Sequence, residues 1–414
     1  MIYIPLDRSI VPVVSTGDKV GMGELVARRE DIPVYSSVSG VVKGVAREGR
    51  RRYLAVESDK SNTPCKSLKG ISKPLGELSY QEICILIRDF AIIDGSDGEP
   101  LFKKLLLNSV PLKRIIINCC EHDSYSTSLY RLISEKPKEL IGGAKILMHA
   151  LGVKKCVFVI EGKKRSLISS LEKHINDPEM FVSAYIQQKY PVNEKTVISA
   201  VYGKEIPHGK GASDIGYILL GAEAIIQTYS SFVSGIPQVS KTLTVSGESI
   251  SLPSNLIVPI GTPIKNLIQE CGGISHKYKF VVKGGVMDGE SMDSPGGVVT
   301  AYTNQLLFLR WADSYRGDCI RCGRCISVCP MHLSPIDYAI SAEHPKKGKG
   351  SLYGINACIE CGCCEYICPT GVQLLDIIRA AKKTENSKNT APTKRRPVRI
   401  KDNTDDIIEE FVQS

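Results

Sequence analysis

Nine of the chain's fifteen cysteines fall within residues 319–368, and their spacing is the strongest constraint in the sequence. Cys319-Ile-Arg-Cys322-Gly-Arg-Cys325-Ile-Ser-Val-Cys329-Pro330 reads C-x2-C-x2-C-x3-C-P. Cys358-Ile-Glu-Cys361-Gly-Cys-Cys364-Glu-Tyr-Ile-Cys368-Pro369 writes the same pattern again. Three thiolates on one tight loop grip three irons of a cubane, and the fourth, past the turn, reaches across to the other cluster. The repeat therefore predicts two [4Fe–4S] centres. One uses Cys319, Cys322, Cys325 and Cys368; the other uses Cys358, Cys361, Cys364 and Cys329. Structural zinc instead takes tetrahedral sets, usually two C-x2-C knuckles across a longer gap. Gly323 and Gly362 are expected to keep a Cβ out of the closing loop. Pro330 and Pro369 are expected to turn the chain after the crossing ligand. Cys363 reads as a bystander or a modulator of potential. Arg321 and Arg324 flank the first loop, and Glu360 and Glu365 the second. Should these side chains face the clusters, the first centre has the higher potential.

The other six cysteines are scattered, and a secreted disulfide scaffold, which would need an export signal and would spread its pairs, is not expected. At 43% hydrophobic and 23% charged residues the chain has the profile of a folded globular protein. No apolar run reaches the ~18 residues of a membrane span, and the first residues lack a basic segment followed by an apolar one. The expected location is the cytoplasm, or the cytoplasmic face of a membrane through partners. The net charge of +9 is concentrated locally, in Pro345-Lys-Lys-Gly-Lys349 and in the tail. No aromatic or helix-turn-helix reading element accompanies it, so no nucleic-acid partner is expected. Lys346, Lys347 and Lys349 are the candidate docking face for an acidic redox partner, with 394–401 the next candidate.

The rest of the chain reads as several modules. Residues 1–60 are strand-sized runs cornered by Gly or Asp (Val11–Val14, Thr16–Val20, Glu24–Ala27, Pro33–Ser36, Ser39–Val42). They look like the barrel-sandwich of lipoyl and biotinyl carriers, without the carrier lysine between Arg29 and Ser37. Residues 61–80 read as a linker. From 80 to 235 strands alternate with helices: 113–118 and 155–160 are buried-strand patterns and 140–151 is helical, which implies a parallel sheet. Residues 240–300 suggest a small β-grasp: strands at 242–247, 256–259 and 280–285, and a helix from an N-cap at Thr262 with Pro263 first. Residues 303–318 read as a lead-in to the cysteine domain, 310–381. The stretch 382–414 reads as a charged tail, disordered or ending in a short helix. Cys119 and Cys120 should point to opposite faces of one strand, which argues against a mutual disulfide. His122 is expected to cap a strand end.

This order of modules resembles the C subunit of the Rnf electron-transport complex across about residues 1–380. The matching segments are Lys189-Tyr-Pro-Val-Asn-Glu-Lys-Thr-Val197, Ile206-Pro-His-Gly209 with Asp214-Ile-Gly216, and Thr244-Val-Ser-Gly247 with Gly261-Thr-Pro263. The resemblance implies a multidomain α/β and α+β chain. It would hold a barrel-sandwich, a domain like the flavin subunit of complex I, a β-grasp of the soluble-ligand-binding type and a bacterial-ferredoxin-like domain. It implies electron transfer from NADH, directly or through a flavin, by way of two [4Fe–4S] clusters to a reductase or membrane complex. Stand-alone relatives serve soluble reductases in anaerobes, such as those reducing proline. A flavin-free conduit between partner proteins is the alternative. The family's flavin loop, Gly-Gly-Ala-Gly-Phe-Pro-Thr, corresponds here to the stretch Ile93-Asp94-Gly95-Ser-Asp97-Gly98-Glu99-Pro100-Leu-Phe-Lys-Lys104. Its second flavin motif corresponds to Asn118-Cys-Cys-Glu121-His-Asp123-Ser-Tyr125. Gly95, Gly98, Asn118, Glu121 and Glu194 are thus the candidate flavin and NADH residues of a degenerate site. Asp94, Asp97 and Glu99 surround the phosphate position, and Lys103 and Lys104 offset them only in part. Like charges 4 Å apart cost about 1 kcal/mol in water and about 4 near a protein surface. Tightly bound FMN is therefore doubtful from the sequence.

Overall fold

The computed structural model describes residues 1–6, 10–29, 32–49, 51–66, 68, 70–106, 110–175, 177–187, 190–207, 210–292, 294–310, 317–343 and 354–389. Two compact units divide the chain, Met1–Tyr315 and Arg316–Ser414.

The first unit opens with two small antiparallel sheets. One has the order Ile2–Leu6, Arg51–Ser58, Gly40–Glu48, Lys19–Val20; the other is Val11–Pro12, Leu25–Arg29, Ile32–Tyr35. Ile4, Leu6, Val20, Val26, Val42, Leu54 and Val56 form their common core. Two of the longer strands, Ile2–Leu6 and Arg51–Ser58, are not among the runs picked out from sequence. The segment read as a linker is tied down. The Cys65 N–H donates to the Met22 carbonyl at 2.8 Å, and the Ile71 N–H to the Phe232 carbonyl at 2.8 Å.

Next comes a four-stranded, wholly parallel sheet in the order Phe181–Ile186, Cys156–Glu161, Arg114–Asn118, Tyr217–Gly221. The central strands are near-continuous apolar runs because helices cover both faces. The helix read at 140–151 is Pro137–Leu151, and it packs against Ala222–Ser234. Gly143 makes this close crossing feasible: a Cβ there would lie 2.0 Å from the Ile225 carbonyl oxygen. The strand order reverses between Arg114–Asn118 and Tyr217–Gly221. In open parallel sheets, the crevice beyond the carboxyl ends at such a reversal is where ligands bind.

The third part is a mixed five-stranded sheet, Ser254–Pro259, Ser240–Ser246, Gln305–Leu309, Phe280–Lys283, Glu290–Met292. The helix Ile264–Glu270 joins its core through Ile264 and Leu267. Two sequence expectations change here. Gln305–Leu309, read as part of a lead-in, is the buried central strand, parallel to Ser240–Ser246 and antiparallel to Phe280–Lys283. Thr262 is not the N-cap. Its hydroxyl donates to the Pro259 carbonyl at 2.7 Å, and the cap position falls on Pro263.

The second unit holds the helices Arg324–Ser327, Pro335–Glu343, Cys363–Tyr366 and Leu374–Asn389. Tyr338, Ala339, Ile355, Leu374 and Ile378 make its core. The last helix runs past Lys382, where a charged tail was expected to begin. Lys346, Lys347, Lys349 and residues 394–401, the candidate docking groups, lie outside the described residues, as do His208 and Gly209. Among the described residues, no helix is long and apolar enough to cross a membrane.

Candidate functional site

The two cysteine loops are copies in backbone as well as in sequence. Arg321 and Glu360 take φ of 56° and 55°, Gly323 and Gly362 of 74° and 75°, and His332 and Gly371 of 54° and 63°. Left-handed residues at three matching places curl each loop tightly. A non-glycine residue held there is strained by about 1–2 kcal/mol, which surrounding structure must offset. Cys319, Cys322, Cys325 and Cys368 line one cavity, together with Ile336, Pro369 and Leu374. The last cysteine of the second repeat thus stands with the first three of the first. Cys329 lies near enough to Cys358 and Cys364 to act on their thiols. Burial pushes the Cys358 and Cys364 thiols up, and the charge of Cys329 adds to the shift at both.

Among the described residues, no three His, Cys, Asp or Glu side chains gather at single-ion distance. The first cavity presents four soft thiols and no carboxylate or imidazole, a donor set that suits an iron–sulfur core. When bound, such a core supplies a one-electron acceptor. Gly323 has a different reason to be glycine from the one expected. A Cβ there would meet nothing within 4 Å, so what the position requires is its φ of +74°.

Charge near the second loop also differs from expectation. Glu360 is paired with Lys382 at 2.7 Å and with Arg379 at 3.2 Å, and Lys382 donates to the Cys358 carbonyl at 2.6 Å. Glu360, one of the two acids counted against the second centre, is therefore neutralised, while Glu365 accepts the Leu375 N–H at 2.8 Å. Cys363 hydrogen-bonds with Cys361 and so touches a candidate ligand sulfur. Ile320 is 64% and Tyr366 79% exposed, so residues of both loops reach the surface of their unit.

Of the candidate flavin residues, Gly95, Asn118 and Glu121 gather at the strand reversal of the parallel sheet, whereas Gly98 and Glu194 do not line the cavity there. A cavity of about 60 Å³ is bordered by Gly95, Asn118, Glu121, Val192 and Gly221. That is well below the roughly 300 Å³ at which small-molecule clefts begin. A wider cleft of about 680 Å³ adjoins it, with Arg52, Tyr53, Gly98, Lys283 and Tyr302 in its walls. Asn118 accepts the Cys120 N–H at 3.0 Å. Glu121 accepts from the Ser126 hydroxyl at 2.8 Å and the Tyr130 N–H at 2.7 Å. Burial raises its pKa against those bonds. Glu194 opens the helix Glu194–Tyr202. Burial pushes its carboxyl up, and the charges of Lys104 and Asp97 both act on it. His122 hydrogen-bonds the Asp288 carboxylate at 3.1 Å, a bond that raises its pKa. Cys119 and Cys120 belong to different cores, on opposite faces as expected. Burial, with Glu161 next, pushes the Cys120 thiol up to about 12.

The acidic loop is arranged differently from the expectation. Asp94 does not face an open phosphate position; it is fully buried. Its carboxylate accepts from the Gly221 N–H at 2.9 Å, the Ser96 N–H at 3.0 Å and the Ser96 hydroxyl at 2.7 Å. Lys104 bridges Asp94 at 2.8 Å and Asp97 at 2.7 Å. Burial pushes Asp94 up, but Lys104 and these bonds outweigh it and hold the carboxyl below the usual range. Several loop N–H groups are also taken. Those of Asp97 and Gly98 donate to the Asp94 carbonyl, and that of Glu99 to the Asp97 carboxylate. Glu99 itself is exposed. The phosphate of a flavin mononucleotide does not fit this loop as it stands.

Sequence reasoning missed Lys241, Glu223 and Asn304. Lys241 is 1% exposed, pairs with Glu223, and would lie 2.7 Å from a Cβ on Gly95. Asn304 donates to the Gly95 carbonyl at 2.7 Å. No local pattern marks these three, because they come from separate elements.

Comparison with known proteins gives two family matches. Residues 91–230 match the Nuo51 FMN-binding domain and residues 318–372 the 4Fe-4S dicluster domain. The second bears out two [4Fe–4S] centres. The first weighs toward FMN, against the doubt raised from sequence. The C subunit of the proton-translocating ferredoxin:NAD(+) oxidoreductase complex of Clostridium ljungdahlii is 30% identical over 360 residues, 81% of this chain and 77% of that protein. Its counterpart in the Na(+)-translocating complex of Acetobacterium woodii is 30% identical over 358 residues, 82% and 80% of the two chains. An NAD+-reducing [NiFe]-hydrogenase structure aligns over 78% of this chain and 65% of that one, with TM-score 0.49 and 13% identity. With its FMN-binding-type and dicluster domains, the chain is built to transfer electrons, and it belongs to the C-subunit family of the ion-translocating ferredoxin:NAD(+) oxidoreductase complexes.

Proposed function

We propose that the chain relays single electrons through two [4Fe–4S] centres. The first is held by Cys319, Cys322, Cys325 and Cys368, the second by Cys358, Cys361, Cys364 and Cys329. What carries this reading is the pair of matching loops, with Cys368 standing among the first three thiols. The relatives' names supply the setting: the C subunit of a ferredoxin:NAD(+) oxidoreductase that translocates ions. By that analogy the chain docks peripherally on the cytoplasmic face of a membrane complex and exchanges electrons with NADH. A soluble reductase, of the kind served by stand-alone relatives, is the other partner class.

Metal analysis of anaerobically purified protein tests the relay. About eight irons and eight acid-labile sulfides per chain are expected from two cubanes. About four irons, or stoichiometric zinc, would refute it. A second reading is favoured by the self-bonded loop at residues 94–99: a flavin-free conduit that receives electrons one at a time. NADH-dependent dye reduction separates the two, being brisk in the first and absent in the second.

A further inference from the structure

We infer that the Asp94 carboxylate is a built-in occupant of the anion seat in the FMN-binding-type domain, so that the seat takes no flavin phosphate. This deepens the conduit reading of that domain and does not depend on the cluster assignment.

The position is the crevice at the strand reversal, where this class of sheet binds ligands. The donors around it are those that hold a phosphate: a backbone N–H at a helix start, a loop N–H, a hydroxyl and a lysine. Gly221, which precedes the thirteen-residue helix Ala222–Ser234, supplies the first, Ser96 the second and third, and Lys104 the fourth. All four converge on one carboxylate of the chain itself. Gly221 also shows how closely the group is seated, since a Cβ there would lie 2.4 Å from Asp94 Oδ1. A phosphate dianion arriving here would meet a buried like charge and no free loop donor among Ser96, Asp97, Gly98 and Glu99. The acids therefore replace the phosphate rather than merely repel it.

A consequence follows for electron input. NADH gives up a hydride, two electrons at once, whereas a [4Fe–4S] core held by these cysteines would accept one electron at a time. Without a flavin to divide the pair, the donor is a reduced one-electron carrier protein, itself oxidised by one electron per transfer.

The test compares FMN with riboflavin, which lacks only the phosphate. The iron-loaded full chain is titrated anaerobically with each to about 100 µM by equilibrium dialysis. The wild type is expected to show no preference for FMN. Asp94→Ser with Asp97→Ala frees the Gly221 and Ser96 donors and Lys104, and is expected to bind FMN about tenfold or more tighter than riboflavin. Acid-releasable FMN at one per chain in the wild type overturns the inference, as does a clear wild-type preference for FMN. So does a folded variant that gains none. If the double variant does not fold, Asp94→Ser alone, which empties the seat and leaves Lys104 paired with Asp97, is held to the same comparison. Iron counts on the same samples show separately whether the cluster reading has failed.

Discussion

Cys329→Ser leaves about four of the eight irons in place, and the survivors belong to the loop that contains position 329. The reason is the crossing of the fourth ligands. Cys329 follows Cys319, Cys322 and Cys325 in sequence, but its charge acts on Cys358 and Cys364, while Cys368 lines the cavity of the first three. Pairs of substitutions make the crossing measurable. Cys329→Ser with Cys361→Ser removes two ligands from one cubane, so its iron content matches that of Cys329→Ser alone. Cys329→Ser with Cys322→Ser damages both cubanes, and iron falls toward zero. Iron analysis and low-temperature EPR of the reduced proteins give the readout. The opposite pattern, with Cys329→Ser and Cys322→Ser losing no more iron together than either does alone, would falsify the crossed assignment.

Lys104→Met carries the largest expected stability effect. Asp94 is fully buried and Lys104 is its only cationic partner among the described residues, with the Lys104 side chain itself 16% exposed. Breaking a buried pair by removing one partner costs about 3–5 kcal/mol, because the remaining charge is left uncompensated. The pH dependence checks the cause. In the wild type the Asp94 carboxyl is held below its usual range and Lys104 is raised above its own. The Asp94 contribution is thus present above the unfolded carboxylate pKa near 4, and is lost as pH falls through the lower folded value. The Lys104 contribution is present below its unfolded pKa and is lost as pH rises through the raised folded value. In Lys104→Met, burial and Asp97 push Asp94 upward instead, so the variant regains stability on acidification as that carboxyl takes a proton. Thermal unfolding at pH 7 and pH 5 should show the deficit shrinking at the lower pH. An equal deficit at both would mean that lost packing, not the stranded charge, is the cause.

Much of this protein could be read locally. The cluster loops are legible because their ligands lie a few residues apart, so spacing alone places three thiols on one loop. The matching left-handed residues at Arg321 and Glu360 show how far that local repeat extends. The parallel sheet is legible for a similar reason: strands such as Arg114–Asn118 and Cys156–Glu161, buried on both faces, must be continuous apolar runs. Gln305–Leu309 is such a run too, yet the nearby cysteine array drew it into the reading of a lead-in, and only its pairing with two distant strands makes it central.

The acidic loop was beyond local reading. Asp94, Asp97 and Glu99 written in a row suggest three charges around a phosphate. In the folded chain they have three different fates: Asp94 buried and four times bonded, Asp97 paired with Lys104, and Glu99 turned to solvent. The donor that seats Asp94 beside the parallel sheet comes from Gly221, 127 residues further on. Whether a carboxylate repels an anion or takes its place depends on burial and on which donors and cations surround it. Those are set by contacts between remote segments, so the cysteine spacing specifies the clusters unaided, while only the folded sheet and its crevice determine what the acids do.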